Sequence, residues 1–219
     1  MAEFTIYIGN KNYSSWSLRG WLMLKHAGVD FDEVVIPLSE ASTRATILRH
    51  SPSGKVPALQ HGDHLVWDSL AIGEYLAELC PSARLWPEEL KARSVARAVS
   101  AEMHAGFAAL RTHLPMNMRS SFADRGVTPE AQADINRITA LWRDCRSRFG
   151  AGGEFLFGHF TVADAMYAPV VSRFRTYGVA VDGELKSYAE RVWDHPAMQE
   201  WREAALAEKE EIEELEVEF

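Results

Sequence analysis

The strongest constraint in this sequence is a change of period. Up to residue 80, strand-like and helix-like segments alternate; beyond residue 88 only helical spacing remains. Phe4–Ile8 is short, apolar and rich in β-formers, the pattern of a buried strand. Residues 10–15 are polar, a loop. Residues 16–27 then place Leu18, Trp21, Leu22 and Leu24 at helical spacing, with Gly28 as a natural stop. Residues 31–36 read as a second strand and 41–48 as a short helix. Residues 56–60 and 64–67 flank the turn His61-Gly62-Asp63 as a hairpin. Asp68 or Ser69 caps a helix that runs to Leu79, with Ile72, Tyr75, Leu76 and Leu79 on one face. The order β-α-β-α-β-β-α implies a mixed sheet: the first βαβ unit makes parallel neighbours, and the hairpin is antiparallel.

Residues 81–87, with Pro81 and Pro87 and no clean period, read as a linker between a first domain of residues 1–80 and a second of 88–219. In the second, Val95, Val99, Met103, Phe107 and Leu110 form one stripe along a long helix. Further helices are expected over 129–149, from Thr161 to Tyr177, and over 184–193 and 196–209, making this half all-α. Thr161 and Asp164 have the spacing of a capping box. Residues 208–218 read as a solvated acidic end, with Phe219 folding back.

Composition removes several function classes. No apolar run approaches the roughly 18 residues of a membrane-spanning helix, so no membrane association is expected. The net charge of −8 disfavours nucleic acid, whose binding depends on neutralising phosphates. The histidines show no H-E-x-x-H or other metal spacing, so no metal is assigned. Cys80 and Cys145 are the only cysteines and form no C-x-x-C pair. Together with an N-terminus that enters a strand almost at once, they lead to the expectation of a cytoplasmic protein.

Three polar motifs fall at element boundaries of the first domain. Asn12-Tyr13-Ser14-Ser15-Trp16-Ser17-Leu18-Arg19 joins the first strand to the first helix. A hydroxyl there sits where free N–H groups and the helix dipole favour negative charge. Ser51-Pro52-Ser53-Gly54-Lys55-Val56-Pro57 leads into the third strand, and Asp68-Ser69 opens the third helix. Taken singly, each also reads as ordinary structure: serines and an aspartate at helix caps, a proline at a strand start.

Taken together and in this order, the motifs and the two-part architecture resemble the cytosolic glutathione transferase family, over essentially the whole chain. The resemblance implies a thioredoxin-like α/β domain, an all-helical domain, a homodimer, and glutathione as co-substrate. Serine-type members, notably of the zeta and theta classes, carry a serine here, and the Ser-Ser-x-Ser-x-Arg run looks most like zeta. It maps Ser14 onto the residue that activates the thiol, with Ser15 as the alternative. A free thiol has a pKa of about 8.5, and lowering it by two units needs only about 2.7 kcal/mol, within reach of one charge-assisted hydrogen bond plus the dipole. By the same resemblance Val56 offers main-chain bonds to the tripeptide, and a cis bond to Pro57 fixes its edge. Lys55 faces the glycyl carboxylate, and Asp68 and Ser69 hold the γ-glutamyl end.

Trp16 stands where zeta relatives carry Cys, which favours a generic transferase over the zeta isomerase reaction. A second substrate is expected near Trp16, Met103, Phe107 and Arg111, most of whose helical spacing also suits core positions. Arg173 and Arg175 read as solvated surface residues. The function expected is addition of the glutathione thiol to a small hydrophobic electrophile. Glutathione-dependent isomerisation of the maleylacetoacetate type, peroxide reduction, and a non-catalytic binding module are the alternatives.

Overall fold

The computed structural model describes residues 3–123, 125–181 and 183–216. Its first part contains β1 (Phe4–Ile8), α1 (Ser15–Ala27), β2 (Phe31–Val35), α2 (Thr43–Leu48), β3 (Ala58–His61), β4 (His64–Trp67) and α3 (Ser69–Leu79). The sheet order is β2-β1-β3-β4, with β1 and β2 parallel and the pairs β1–β3 and β3–β4 antiparallel. This is the thioredoxin-like arrangement expected from the sequence. The third strand starts at Ala58, two residues later than the apolar pattern suggested. Val56 and Pro57, joined by a cis peptide bond, precede it, and proline has no N–H to give the ladder.

Ile6, Ile8 and Leu59 from the sheet meet Leu18, Leu22, Ile72 and Leu76 from the helices, all buried. Two glycines make this packing possible. Gly28 closes α1 in the left-handed conformation at φ 70°. Gly73 lets α3 approach α1 and α7 closely: a Cβ there would lie 2.8 Å from Met23 Sδ and 3.2 Å from Val162 Cγ2.

The second part contains α4 (Leu90–Ala105), α5 (Ala108–His113), α6 (Pro129–Phe149), α7 (Val162–Thr176), α8 (Gly183–Trp193) and α9 (Pro196–Ala207). Helix α7 is buried on nearly every side between α1, α4 and α8, as a helix without a polar face must be. Its start is the expected capping box. Asp164 accepts from Thr161 N–H at 2.8 Å, from Thr161 Oγ1 at 3.0 Å and from Leu156 N–H at 3.1 Å.

Three expectations are corrected. The stripe from Val95 to Leu110 is not one helix. Gly106 is extended and Phe107 sits at φ 60°, so α4 ends and α5 begins at a new angle. The side chain of Arg111 ties this corner by donating to the carbonyls of Gly106, at 3.0 Å, and Met103. Arg173 is not on the surface but 4% exposed; it donates to Leu114 O at 2.8 Å and Pro169 O at 3.3 Å, while Arg175 is exposed as expected. Burial, then Arg111, lowers the Arg173 pKa to about 9. The acidic end is not simply solvated either. Glu208 accepts from the backbone N–H groups of Lys11 and Asn12 at 2.6 and 2.9 Å, and Glu216 bonds Tyr13 and Asn117. Phe219 lies outside the described residues.

His195 caps α9, its Nδ1 accepting from Ala197 N–H at 3.3 Å, and its ring packs against Phe160 at 4.7 Å. Burial, then His26 and Arg191, pushes its pKa down to about 4. A histidine kept neutral in the fold but protonated in the unfolded chain costs stability as pH falls from about 6.5 to about 4. Asp164, pushed up to about 6 by burial, has the opposite sign: its cost is felt above that pH and relieved below it. His195→Asn keeps a capping side chain and removes the titration. The unfolding temperature of this variant is expected to fall less than that of the parent between pH 7 and pH 4.5. Parallel curves would show that His195 is not the group responsible.

Candidate functional site

A cleft of roughly 760 Å³, of the size that holds a small ligand, opens between the start of α1, the loop before β3, the start of α3 and the last turn of α4. Ser14, Trp16, Lys55, Val56, Pro57, Asp68 and Ser69 all line it. The sequence motifs, spread over more than fifty positions, therefore meet on one surface. Ser15, Met103, Phe107 and Arg111 do not line it. Ser15 is the buried first residue of α1, Met103 is 0% exposed in the core, and Phe107 is buried at the α4–α5 corner. Arg111 lies behind Trp16, with its guanidinium 4.7 Å from the centre of the indole ring.

The loop carrying Ser14 is held from several directions. Asn10 O accepts the N–H groups of Tyr13 and Ser14, at 3.2 and 2.8 Å. Asn12 Oδ1 accepts from Met118 and Arg119 N–H, and Asn12 Nδ2 donates to Asn117 Oδ1 at 3.0 Å. Ser14 is the N-cap of α1, taking the Ser17 N–H at 3.4 Å, and its hydroxyl donates to Ser17 Oγ at 2.7 Å. Ser17 Oγ in turn accepts from Gly9 N–H at 3.0 Å. The capping and chemical readings of Ser14 are therefore compatible: the side chain caps the helix and still borders the cleft. Tyr13, its neighbour, points away to Glu216 and Arg119, and burial followed by Glu216 raises its pKa.

On the opposite wall, Val56 borders the cleft and makes no backbone hydrogen bond among the described residues. Lys55 beside it is exposed. At the start of α3, Asp68 adopts φ 77° and caps the helix through Leu70 N–H at 2.8 Å. Its second oxygen lies 3.2 Å from His104 Nε2 on α4. Ser69 is 1% exposed, and its Oγ has no hydrogen-bond partner among the described residues. An unpaired hydroxyl beside free N–H groups at a helix N-terminus is suited to an anionic group.

Sequence reasoning missed the pairing of Asp68 with His104 and the contributions of Leu38 and Trp67 to the cleft. No local pattern in the sequence marks His104 as the partner of a residue in the other half. Trp67, 45% exposed at the end of β4, carries a weak signal as a large apolar residue left open.

Residues 13–79 match the family described as glutathione S-transferase, N-terminal domain, and residues 93–204 match the glutathione S-transferase C-terminal domain. A probable maleylacetoacetate isomerase of Caenorhabditis elegans is 32% identical over 161 residues, 72% of each chain. Glutathione S-transferase 1 of Dianthus caryophyllus is 35% identical over 94 residues, so the chain spans less than half the length of that relative, 42% of each. Among solved structures, a Burkholderia glutathione transferase homologue with bound glutathione is similar in fold: 24% identical with a TM-score of 0.71, covering 94% of this chain and 99% of that one. No helix among the described residues is long and apolar enough to cross a membrane. With both family domains matched in order along the chain, the protein belongs to the glutathione S-transferase family.

Proposed function

We propose that this chain is a cytoplasmic, homodimeric, serine-type glutathione transferase that activates the glutathione thiol in the cleft and adds it to a small electrophile. The observation that carries the reading is the convergence of Ser14, unused Val56 backbone and unpartnered Ser69 Oγ around one cavity. Ser69 and the first N–H groups of α3 take the γ-glutamyl carboxylate. Asp68 takes the α-amino group, Val56 pairs with the cysteinyl backbone, and Lys55 meets the glycyl carboxylate. The thiol then lies toward the N-terminus of α1. There the Ser14 hydroxyl turns from Ser17 to donate to the sulfur, favouring the thiolate. Holding both reactants in one cleft lowers the remaining barrier by proximity.

A second reading, glutathione-dependent cis–trans isomerisation, is supported by the isomerase relative at 32% identity over 72% of the chain. Both reactions begin with the same thiolate, so the test of the common step comes first. Calorimetry is expected to show glutathione binding at or below millimolar concentration, weakened about tenfold or more by Ser69→Ala, the loss of one hydrogen bond to a charged group. An absence of heat at several millimolar glutathione would favour a non-catalytic binding module instead. Assays with a chloronitrobenzene and with maleylacetoacetate then separate transfer from isomerisation.

A further inference from the structure

Trp16 is surrounded by polar atoms that have nothing to bond. The guanidinium carbon of Arg19 lies 4.3 Å and that of Arg111 4.7 Å from its ring centre, and the His104 imidazole meets it edge-on at 5.1 Å. Arg19 Nη1 and Nη2, Arg111 Nη1 and His104 Nδ1 are all buried and without a hydrogen-bond partner among the described residues. Arg19 is 0% exposed, and only its Nε is used, donating to Met166 O at 3.1 Å. A third guanidinium, Arg173, is near enough to repel both of the others.

Ordinary structural explanations do not remove this imbalance. Arginine does not give up its proton near neutral pH, so Arg19 cannot escape burial by becoming neutral. A buried charge needs a partner. The acidic groups that act on these arginines from a distance are already engaged. Asp68 holds His104 Nε2 and Leu70 N–H, and Asp134 accepts from Leu110 N–H at 2.9 Å. The remaining unsatisfied donors come from two different helices: Arg19 from α1 and Arg111 from α5.

We propose that Arg19 and Arg111 around Trp16 form a binding site for a small monovalent anion of carboxylate size, seated where α1 meets the α4–α5 corner. The two terminal nitrogens of one guanidinium match the two oxygens of a carboxylate, and a second guanidinium completes the countercharge. Trp16 and His104 also border the cleft, so the site lies directly behind its wall. Two sources share this chemistry: a free small anion, and the carboxylate of a second substrate lying beside the thiol. The second source rests on the proposed transferase reading; the anion site itself does not.

The test starts with glutathione-free protein at fixed ionic strength, sodium acetate replacing sodium gluconate, a bulkier carboxylate. Acetate is expected to raise the unfolding temperature with the logarithm of its concentration above Kd, by roughly 5 °C at a hundred times its Kd. Arg111→Met should abolish the rise or move it to at least tenfold higher acetate. Because Arg19→Met removes a core side chain and is liable not to fold, chloride NMR line broadening on the parent protein, reversed by acetate, provides an independent reading. Equal unfolding temperatures in acetate and gluconate, or a full acetate response in Arg111→Met, would overturn the proposal.

A second arm identifies the source by comparing a chloronitrobenzoate with its methyl ester as electrophiles. A KM for the acid raised about tenfold in Arg111→Met, with the ester unchanged, assigns the site to the substrate carboxylate. Equal effects on acid and ester, with the parent's acetate response lost in Arg111→Met, assign it to a free anion. The first arm contains no glutathione, so its failure leaves the thiol chemistry standing. A failure to bind glutathione likewise leaves the anion site standing.

Discussion

Asp164→Ala is expected to lower the unfolding temperature by roughly 10 °C, corresponding to about 3–5 kcal/mol for a chain of this size. The carboxylate is fully buried and accepts from two backbone N–H groups, those of Thr161 and Leu156, and from the Thr161 hydroxyl. Removing it leaves those donors without water or protein partners, at about 1–3 kcal/mol each. Part of that loss is returned, because burial already disfavours the charge, as the carboxyl pKa of about 6 shows. The net remains large because α7 starts here, and α7 is packed against α1, which carries the loop with Ser14. Asp164→Asn should lose about half as much, since one amide oxygen still accepts, and it should lose its pH term entirely. An unfolding temperature within about 2 °C of the parent for the alanine variant, measured calorimetrically, would contradict this account.

Ser14→Ala is expected to lower kcat/KM for glutathione addition by about a hundredfold, about 2.7 kcal/mol of transition-state stabilisation. The same substitution should raise the pKa of the bound thiol toward its free value of about 8.5. Two readouts are needed because Ser14 is also the cap of α1. Loss of a cap alone costs about 1 kcal/mol of stability and moves no thiol titration. Thiolate absorbance measured against pH on the saturated enzyme distinguishes the two. An unchanged titration with lowered activity would reduce Ser14 to a capping residue. Ser14→Thr should preserve much of the titration, since the hydroxyl and the cap are both retained. Ser15→Ala should leave the titration unchanged, because that residue stands outside the cleft.

What was legible in the sequence follows from the range of the forces involved. Strand and helix periods, the Gly28 stop, the proline before β3 and the Thr161–Asp164 box are each written within a few residues. They reappear in the structure within two or three positions. The break between α4 and α5 was not legible. The apolar spacing runs through Gly106 without interruption, and only the corner formed by Phe107 and Arg111 against the core shows the turn. Arg173 was misread for a related reason. A charged residue is assigned to the surface by composition, yet the carbonyls of Leu114 and Pro169 give it partners inside.

The sequence by itself determined the two-part architecture and the order in which Ser14, Val56-Pro57 and Asp68-Ser69 enter one domain. Those features depend on local conformational preference and on the topology it imposes. The tertiary structure alone decided which groups face each other across the two parts: Asp68 with His104, Glu208 with the Lys11–Asn12 backbone, and Arg111 against Trp16. Such pairs join residues far apart in the chain, and their partners are selected by burial and by the need to satisfy charge after packing. No local pattern records that selection.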